Sequence, residues 1–484
     1  MNRSLSLIIF LLLFFQVKAT EFLVGNVNEF EKALSNSKAG DVIIWKDGKY
    51  VDVKINFVGN GKVGIPIVLK AQTAGKVSFS GSSKIQLSGS YLQIEGFVFK
   101  GDCTLEDKEH VISFAIGNKE AHHSTISNCA IINYTHAEST LKTNYYVNMV
   151  GTHNQVEQCH FEGKTNKGPT LVIEYKQEKG YVPGSDVAPS SYHNIHHNYF
   201  GFRTFSENGG EQIRVGTSTT SFSHGFNMIE YNYFEDERIE TEVVSNKSWN
   251  NIYRFNTFIG NDGGMVIRHG QKCFVYGNFI NGKAGRNESA GLRVINPNNT
   301  IFNNYVENLE GGDKDMKSPI TIMSGLEGSA LNEYYPADHA IVAYNTVINS
   351  VGAAIKIGVG NKSKGKPLVA PKNVLLVGNA VLNTSGANIS PIVIEEPKST
   401  YELSKNVYNN GETSEKGFSK IRIKEGVFKD GFYLGNLQKD TLVINAINQR
   451  LSLHQIKLSE KDIMQFDVTK IVGKKDVGVS WLKK

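Results

Sequence analysis

Glu240 and Glu242 lie two residues apart in the strand-like segment Glu240-Thr241-Glu242-Val243-Val244, so their side chains project from one face. Two exposed carboxylates side by side repel unless a cation sits between them, and oxygen donors suit Ca2+ better than a transition metal. An amide that could complete the set is Asn208, which precedes the two by 32 and 34 residues. A surface ladder of ion pairs, with Glu242 between Arg214 and Arg268, accounts for the same spacing without a metal.

Lys247 follows Glu242 by five residues, and Arg268-His269-Gly270 comes one segment later. Crowding a lysine against an arginine and a cation site disfavours its protonated form, which is what a general base needs. An arginine can position or stabilise an oxygen. His269 would face away from Arg268 on an ideal strand, unless Gly270 bends the chain, and so reads as a supporting group. Taken singly, each of these residues is an ordinary surface side chain. Together they suit an elimination.

The elements that must hold them recur. Arg214, Glu242, Arg268, Arg293 and Thr321 each sit in the middle of a short apolar segment, at intervals of 28, 26, 25 and 28 residues. Such a period describes a solenoid, one strand per coil, with strands about 4.8 Å apart. The charges then form one outward column. A second pattern runs in register, as in Ile195-His-His-Asn198-Tyr-Phe200 and Ile229-Glu-Tyr-Asn232-Tyr-Phe234, and continues at Asn256, Asn278, Asn304, Asn345 and Asn379. Looser copies surround Asn128 and Gln158. Apolar residues flanking an Asn at a tight bend fit an all-β, right-handed parallel β-helix whose Asn side chains stack and bond the bend's unpaired backbone.

Longer gaps in the pattern mark inserted loops that can wall a binding face, among them the stretch holding Glu333, Tyr334 and Tyr335. Residues 27–34 have helical spacing, with Phe30, Ala33 and Leu34 on one side, and suit a cap on the first coil. Residues 1–19 read as a secretory signal peptide, 20–410 as the β-helix, and 411–484 as late coils or a C-terminal cap of the same domain. An exported, periplasmic or extracellular monomer without a membrane anchor is therefore expected. The formal net charge of +5 is mild and compatible with an acidic partner. Cys129 and Cys159 occupy matching repeat positions, where stacked thiols and a disulfide both fit, the buried thiols slightly better.

The set Asn208-Gly-Gly-Glu-Gln-Ile-Arg214, Glu240-Thr-Glu242, Lys247 and Arg268-His269-Gly270 resembles polysaccharide lyase family six, the parallel β-helix alginate lyases and chondroitin B (dermatan) lyases. The resemblance covers most of the chain after the signal peptide. It implies Ca2+ held by Asn208, Glu240 and Glu242, with Lys247 as base and Arg268 as acid in a β-elimination at a uronic acid. Arg214, Arg286 and Arg293 would bind uronate carboxylates, and Glu333, Tyr334 and Tyr335 would close over the sugar. The segments around Arg293 and Met323 look more like the alginate-cleaving members, so alginate, through its mannuronate links, is the expected polymer; dermatan sulfate is the alternative. An acidic polysaccharide, not a nucleic acid, is the implied partner. A non-catalytic β-helix carbohydrate-binding protein would have no need of Lys247 beside Arg268. A pectin-type hydrolase would want clustered aspartates, and the nearest set, Asp313 and Asp315, falls in a Gly-rich loop.

Overall fold

The computed structural model describes residues 19–136, 141–204, 209–238, 240–312, 314, 316–386, 389–423, 428–429, 431–435 and 437–482. Among them the strands fall into three 14-stranded, almost wholly parallel sheets. Successive strands of the chain step from the first sheet to the second and third, then return one rung further on. This is the parallel β-helix that the repeats predict. Inward positions align from coil to coil: Ile195 pairs with Ile229, Ile229 with Tyr253 and Tyr253 with Val275. These side chains are buried. In the next sheet Phe200, Phe234 and Phe258 stack with ring centroids 4.9 and 4.6 Å apart. Both faces of a parallel strand that are closed to water favour such apolar runs.

The Asn bend joins the first sheet to the second. Asn198, Asn232, Asn256, Asn278, Asn304, Asn345 and Asn379 form one continuous ladder. Each backbone N–H and Nδ2 donates to the Oδ1 of the next rung at 2.9–3.1 Å, and the ladder extends to Asn406. The residue before each Asn takes positive φ, as at His197 and Tyr231. Asn128 and Gln158 share that conformation, so the early rungs are shifted by one residue from the expectation. Their ladder position is held by Cys129 and Cys159, and the Cys159 N–H donates to Asn198 Oδ1 at 2.9 Å. All four cysteines are free and buried.

The expected N-terminal cap is the helix Val27–Asn36, started by Asn26, whose side chain accepts from the Glu29 N–H. Its Phe30 packs against Trp45 and Phe57 in the first coils. At the other end, strands Tyr401–Ser404, Asn406–Tyr408 and Phe418–Lys420 continue the stack. Beyond them the tail lies along the outer flank. Val443, Ile444, Ile447 and Leu451 of helix Thr441–Leu451 cover Phe274, Phe302, Ile341 and Tyr344. Val472 and Val477 meet Tyr199 and Tyr233, and the Ser480 N–H reaches Asn128 Oδ1 at 3.3 Å. The expected signal peptide falls in residues that lie outside the described ones, apart from Ala19. Among the described residues no helix is long and apolar enough to cross a membrane.

The third sheet carries the charged positions. Its relevant strands are β1 (Val147–Met149), β2 (Leu171–Ile173), β3 (Ile213–Val215), β4 (Glu242–Lys247), β5 (Gly264–His269), β6 (Leu292–Val294), β7 (Ile320–Met323), β8 (Ile355–Val359) and β9 (Ile392–Ile394). The turn between the first two sheets is a tight Asn bend, so insertions are left to the two edges of the third. Its outward face is therefore the one that loops can wall.

Candidate active site

The register of the third sheet corrects the column inferred from spacing. Arg214 stands opposite Ser245, Ser245 opposite Val266, Val266 opposite Arg293, Arg293 opposite Thr321, and Thr321 opposite Lys356. Glu242 and Arg268 flank this row instead of lying in it. The cause is two bulges in the β4–β5 pair, between Glu242 and Val244 and between Asn246 and Lys247. Val243 and Val244 are both buried in the core, which returns Ser245 to the same outward face as Glu242. Bulges beside a site commonly re-aim side chains in this way.

The flanking groups nevertheless converge. Arg293 Nη2 donates to Glu242 Oε1 at 2.7 Å, Arg268 Nε lies 3.7 Å from the same oxygen, and Ser245 Oγ donates to Glu242 Oε2 at 2.6 Å. Burial opposes ionisation of Glu242, but Arg293, Lys247 and Arg268 outweigh it and hold its carboxyl below the usual range. Glu240 is pushed the other way, by burial and then by the Glu211 and Glu242 carboxylates. Its Oε1 accepts from the Thr241 and Glu242 N–H groups and its Oε2 from the Gly210 N–H. Lys247, at the end of β4, has its Nζ 3.6 Å from Glu211 Oε1.

Glu211 is the group that the sequence reading passed over. It is only 2% exposed, and its Oε2 is buried without a hydrogen-bond partner. It stood within the segment Asn208-Gly-Gly-Glu211, three residues before Arg214, but nothing in the spacing distinguished it from a loop acid.

Arg268 is held from above by the inserted loop between β7 and the next coil. Its Nη1 and Nη2 donate to the Glu333 and Asn332 carbonyls at 2.7 and 2.9 Å, and its guanidinium lies 4.3 Å from the Tyr334 ring centroid. Tyr334 is packed into an outer apolar cluster with Val266, Ile295 and Met323. The Glu333 carboxylate pairs with Lys366, and the Tyr335 hydroxyl donates to the Ser329 carbonyl at 3.2 Å. Glu333 and Tyr334 thus steady Arg268, and Tyr335 steadies its own loop. His269 is 2% exposed and bonded to Ser218 Oγ at 3.0 Å. Burial, then Arg268 and Lys247, push it down to about 2, so it is a neutral support.

Arg214 donates to the Tyr145 hydroxyl at 3.2 Å. Arg286 is not brought to this group of residues: it pairs with Asp236, and with Asp262 at 3.4 Å. Asn208, Asp313 and Asp315 lie outside the described residues. Among those described, no group of three or more His, Cys, Asp or Glu is arranged to hold a metal. Two carboxylates and an amide remain a compatible donor set. Glu240 Oε2 and Glu242 Oε2 each accept one hydrogen bond, which leaves a lone pair on each oxygen, and the repulsion felt by Glu240 is what a hard cation relieves.

The chain thus folds as a parallel β-helix whose loop-walled sheet face brings Lys247, Arg268 and Arg293 beside the partly buried carboxylates of Glu240 and Glu242. The chondroitinase B family profile matches residues 24–448, and the chain belongs to that family, polysaccharide lyase family six. The family-six alginate lyase AlyGC is 30% identical with a TM-score of 0.81 over 96% of this chain, which spans only 59% of AlyGC. A mannuronic acid-specific family-six lyase from human gut microbiota is 25% identical over 84% of this chain and 92% of its own, with a TM-score of 0.72. The family-six polysaccharide lyase of Pseudopedobacter saltans is 25% identical over 92% of this chain and 99% of its own, with a TM-score of 0.66. No curated protein matches the chain.

Proposed function

We propose that the protein is an exported lyase that cleaves alginate at mannuronate-containing links by β-elimination, leaving 4,5-unsaturated uronate ends. The observation that carries this reading is the convergence of Lys247, Arg268 and Arg293 around the Glu242 carboxylate on one walled sheet face. A base, a group for the leaving oxygen and a cation for the substrate carboxylate are what an elimination requires.

Lys247 takes the proton from C5 of the uronate. The electron pair left behind forms the C4–C5 double bond as the C4–O bond breaks, and Arg268 serves the departing oxygen as hydrogen-bond donor and acid. Arg293 orients the sugar by its carboxylate, and the loop contacts of Arg268 fix the guanidinium before substrate arrives, as preorganised electrostatic stabilisation demands. Ca2+, held by Asn208, Glu240 and Glu242, would supply positive charge beside the substrate carboxylate and so make the adjacent C–H more acidic.

Alginate is favoured over dermatan sulfate because a sulfated chain calls for additional uncommitted cations, and Arg286, one of the three candidates, is committed to Asp236 and Asp262. The similarity to AlyGC and to the mannuronic acid-specific lyase supports the same choice. The test is ultraviolet absorbance of the new double bond during incubation with alginate, dermatan sulfate and polygalacturonate. Product from alginate is expected. Product from dermatan sulfate alone would move the substrate, and product from none would remove the lyase reading.

A further inference from the structure

Beyond Arg293 the outward row continues through Thr321 to Lys356, two rungs further along the sheet. Lys356 is 9% exposed and lines a cavity of about 650 Å3 at the edge where β8 and β9 begin, together with Ser350, Ser390 and Glu395. Its Nζ is 3.4 Å from Glu395 Oε1. An ammonium has three donors, so one such partner leaves others for a ligand in the cavity.

The spacing matches an acidic polymer. A 1,4-linked hexuronate chain advances by about one strand spacing per sugar, and two rungs make about 10 Å. Successive sugars are turned over, so carboxylates on one side recur at every second sugar. A uronate held by Arg293 would therefore present the next same-side carboxylate at Lys356, with the intervening sugar spanning the rung of Thr321, whose own side chain is fully buried. The other end of the row carries Arg214, and beyond it a second cavity of about 420 Å3 is lined by Glu120, Glu174 and Lys176.

We propose that the Lys356 cavity is a distal carboxylate subsite, two sugars from the one at Arg293, that sets a preference for longer acidic oligosaccharides. This rests on the polysaccharide reading above and adds the direction in which the chain extends.

The test is calorimetric binding of saturated mannuronate dimer and hexamer to the Lys247→Ala protein, in which turnover is removed, with Lys356 intact or changed to Met or Arg. A dimer on Arg293 stops one sugar short of Lys356, so the hexamer should bind more tightly. Lys356→Met should remove that gain, weakening the hexamer by roughly tenfold, as for one charge-assisted contact. Lys356→Arg should keep the gain and shows that the fold is intact. Equal affinity of dimer and hexamer, or an equal loss for both in Lys356→Met, overturns the subsite. If length-dependent, Lys356-dependent binding persists while the wild-type protein makes no unsaturated product, the lyase reading fails and the subsite stands.

Discussion

Arg293 reaches Glu242 across an intervening strand. The two residues belong to β6 and β4, yet Arg293 Nη2 and Glu242 Oε1 are 2.7 Å apart, with Val266 of β5 buried between their rungs. The arginine is thus both a structural partner of a buried carboxylate and a candidate substrate contact. Removing it should act twice. Arg293→Ala is expected to lower thermal stability, because Glu242 loses one charge-assisted hydrogen bond, about 1.5–3 kcal/mol, while keeping Arg268 and Ser245, and to raise KM or lower kcat on alginate. Differential scanning calorimetry and steady-state kinetics check the two effects separately; unchanged kinetics in a destabilised protein would leave Arg293 a purely structural residue.

Lys247→Ala and Arg268→Ala should each lower turnover by at least about 10²-fold, the low end for a general acid or base. Neither side chain is part of the apolar core, so circular dichroism should be unaltered. Near-normal elimination by Lys247→Ala would transfer the base to another group, and His269 is a poor replacement while it is bonded to Ser218 in a buried position.

Calcium dependence is expected to track Glu240 and Glu242. Chelation should abolish activity and added Ca2+ restore it, and Glu240→Gln with Glu242→Gln should bind no calcium in equilibrium dialysis. Retained calcium in the double variant would place the cation elsewhere.

Stability should fall with acid through buried histidines. Burial pushes His193 down to about 3 and His110 and His454 down to about 4, and His269 lies lower still. The unfolded chain takes up each proton near 6.5. Below that pH the unfolded state binds more protons than the fold does, so stability declines from about pH 6.5 toward the folded values, by up to about 1.4 kcal/mol per pH unit per histidine. His193 shows why the proton is refused: its Nδ1 accepts from the Asn154 N–H at 3.1 Å. Urea unfolding at neutral and mildly acidic pH should show a shallower decline in His193→Gln, and parallel slopes would count against this origin.

The fold was legible because each coil repeats one local solution. An Asn bend with apolar neighbours states its own geometry, and seven copies of it fix the stacking. Lys247, Arg268 and the paired glutamates were legible for a related reason, since charge within an apolar strand has no structural purpose. Register was not, because Val243 adds a residue to β4 without advancing the rung, and spacing alone cannot distinguish a bulge from a loop. Glu211 and Lys356 escaped for another reason. One sits in a loop and the other in a strand past a long insertion, so the relation of each to the site exists only after the coils are stacked. The loop residues Glu333 and Tyr334 were placed over the sugar by their position in an insertion, whereas their contacts go to Arg268.

The tail that returns along the flank changes how the molecule can come apart. A stack in which every coil touches only its neighbours can fray from either end, one rung after another. Here the Ser480 N–H bonds Asn128, and the Trp481 ring stands against Gly75 in the early coils, while the preceding helix spans rungs near the opposite end. Head and tail are laced into one circuit, so neither end can loosen without disturbing the other. Lys247, Arg268 and Arg293 lie on rungs between those two anchor points, where fraying from an end would have furthest to travel.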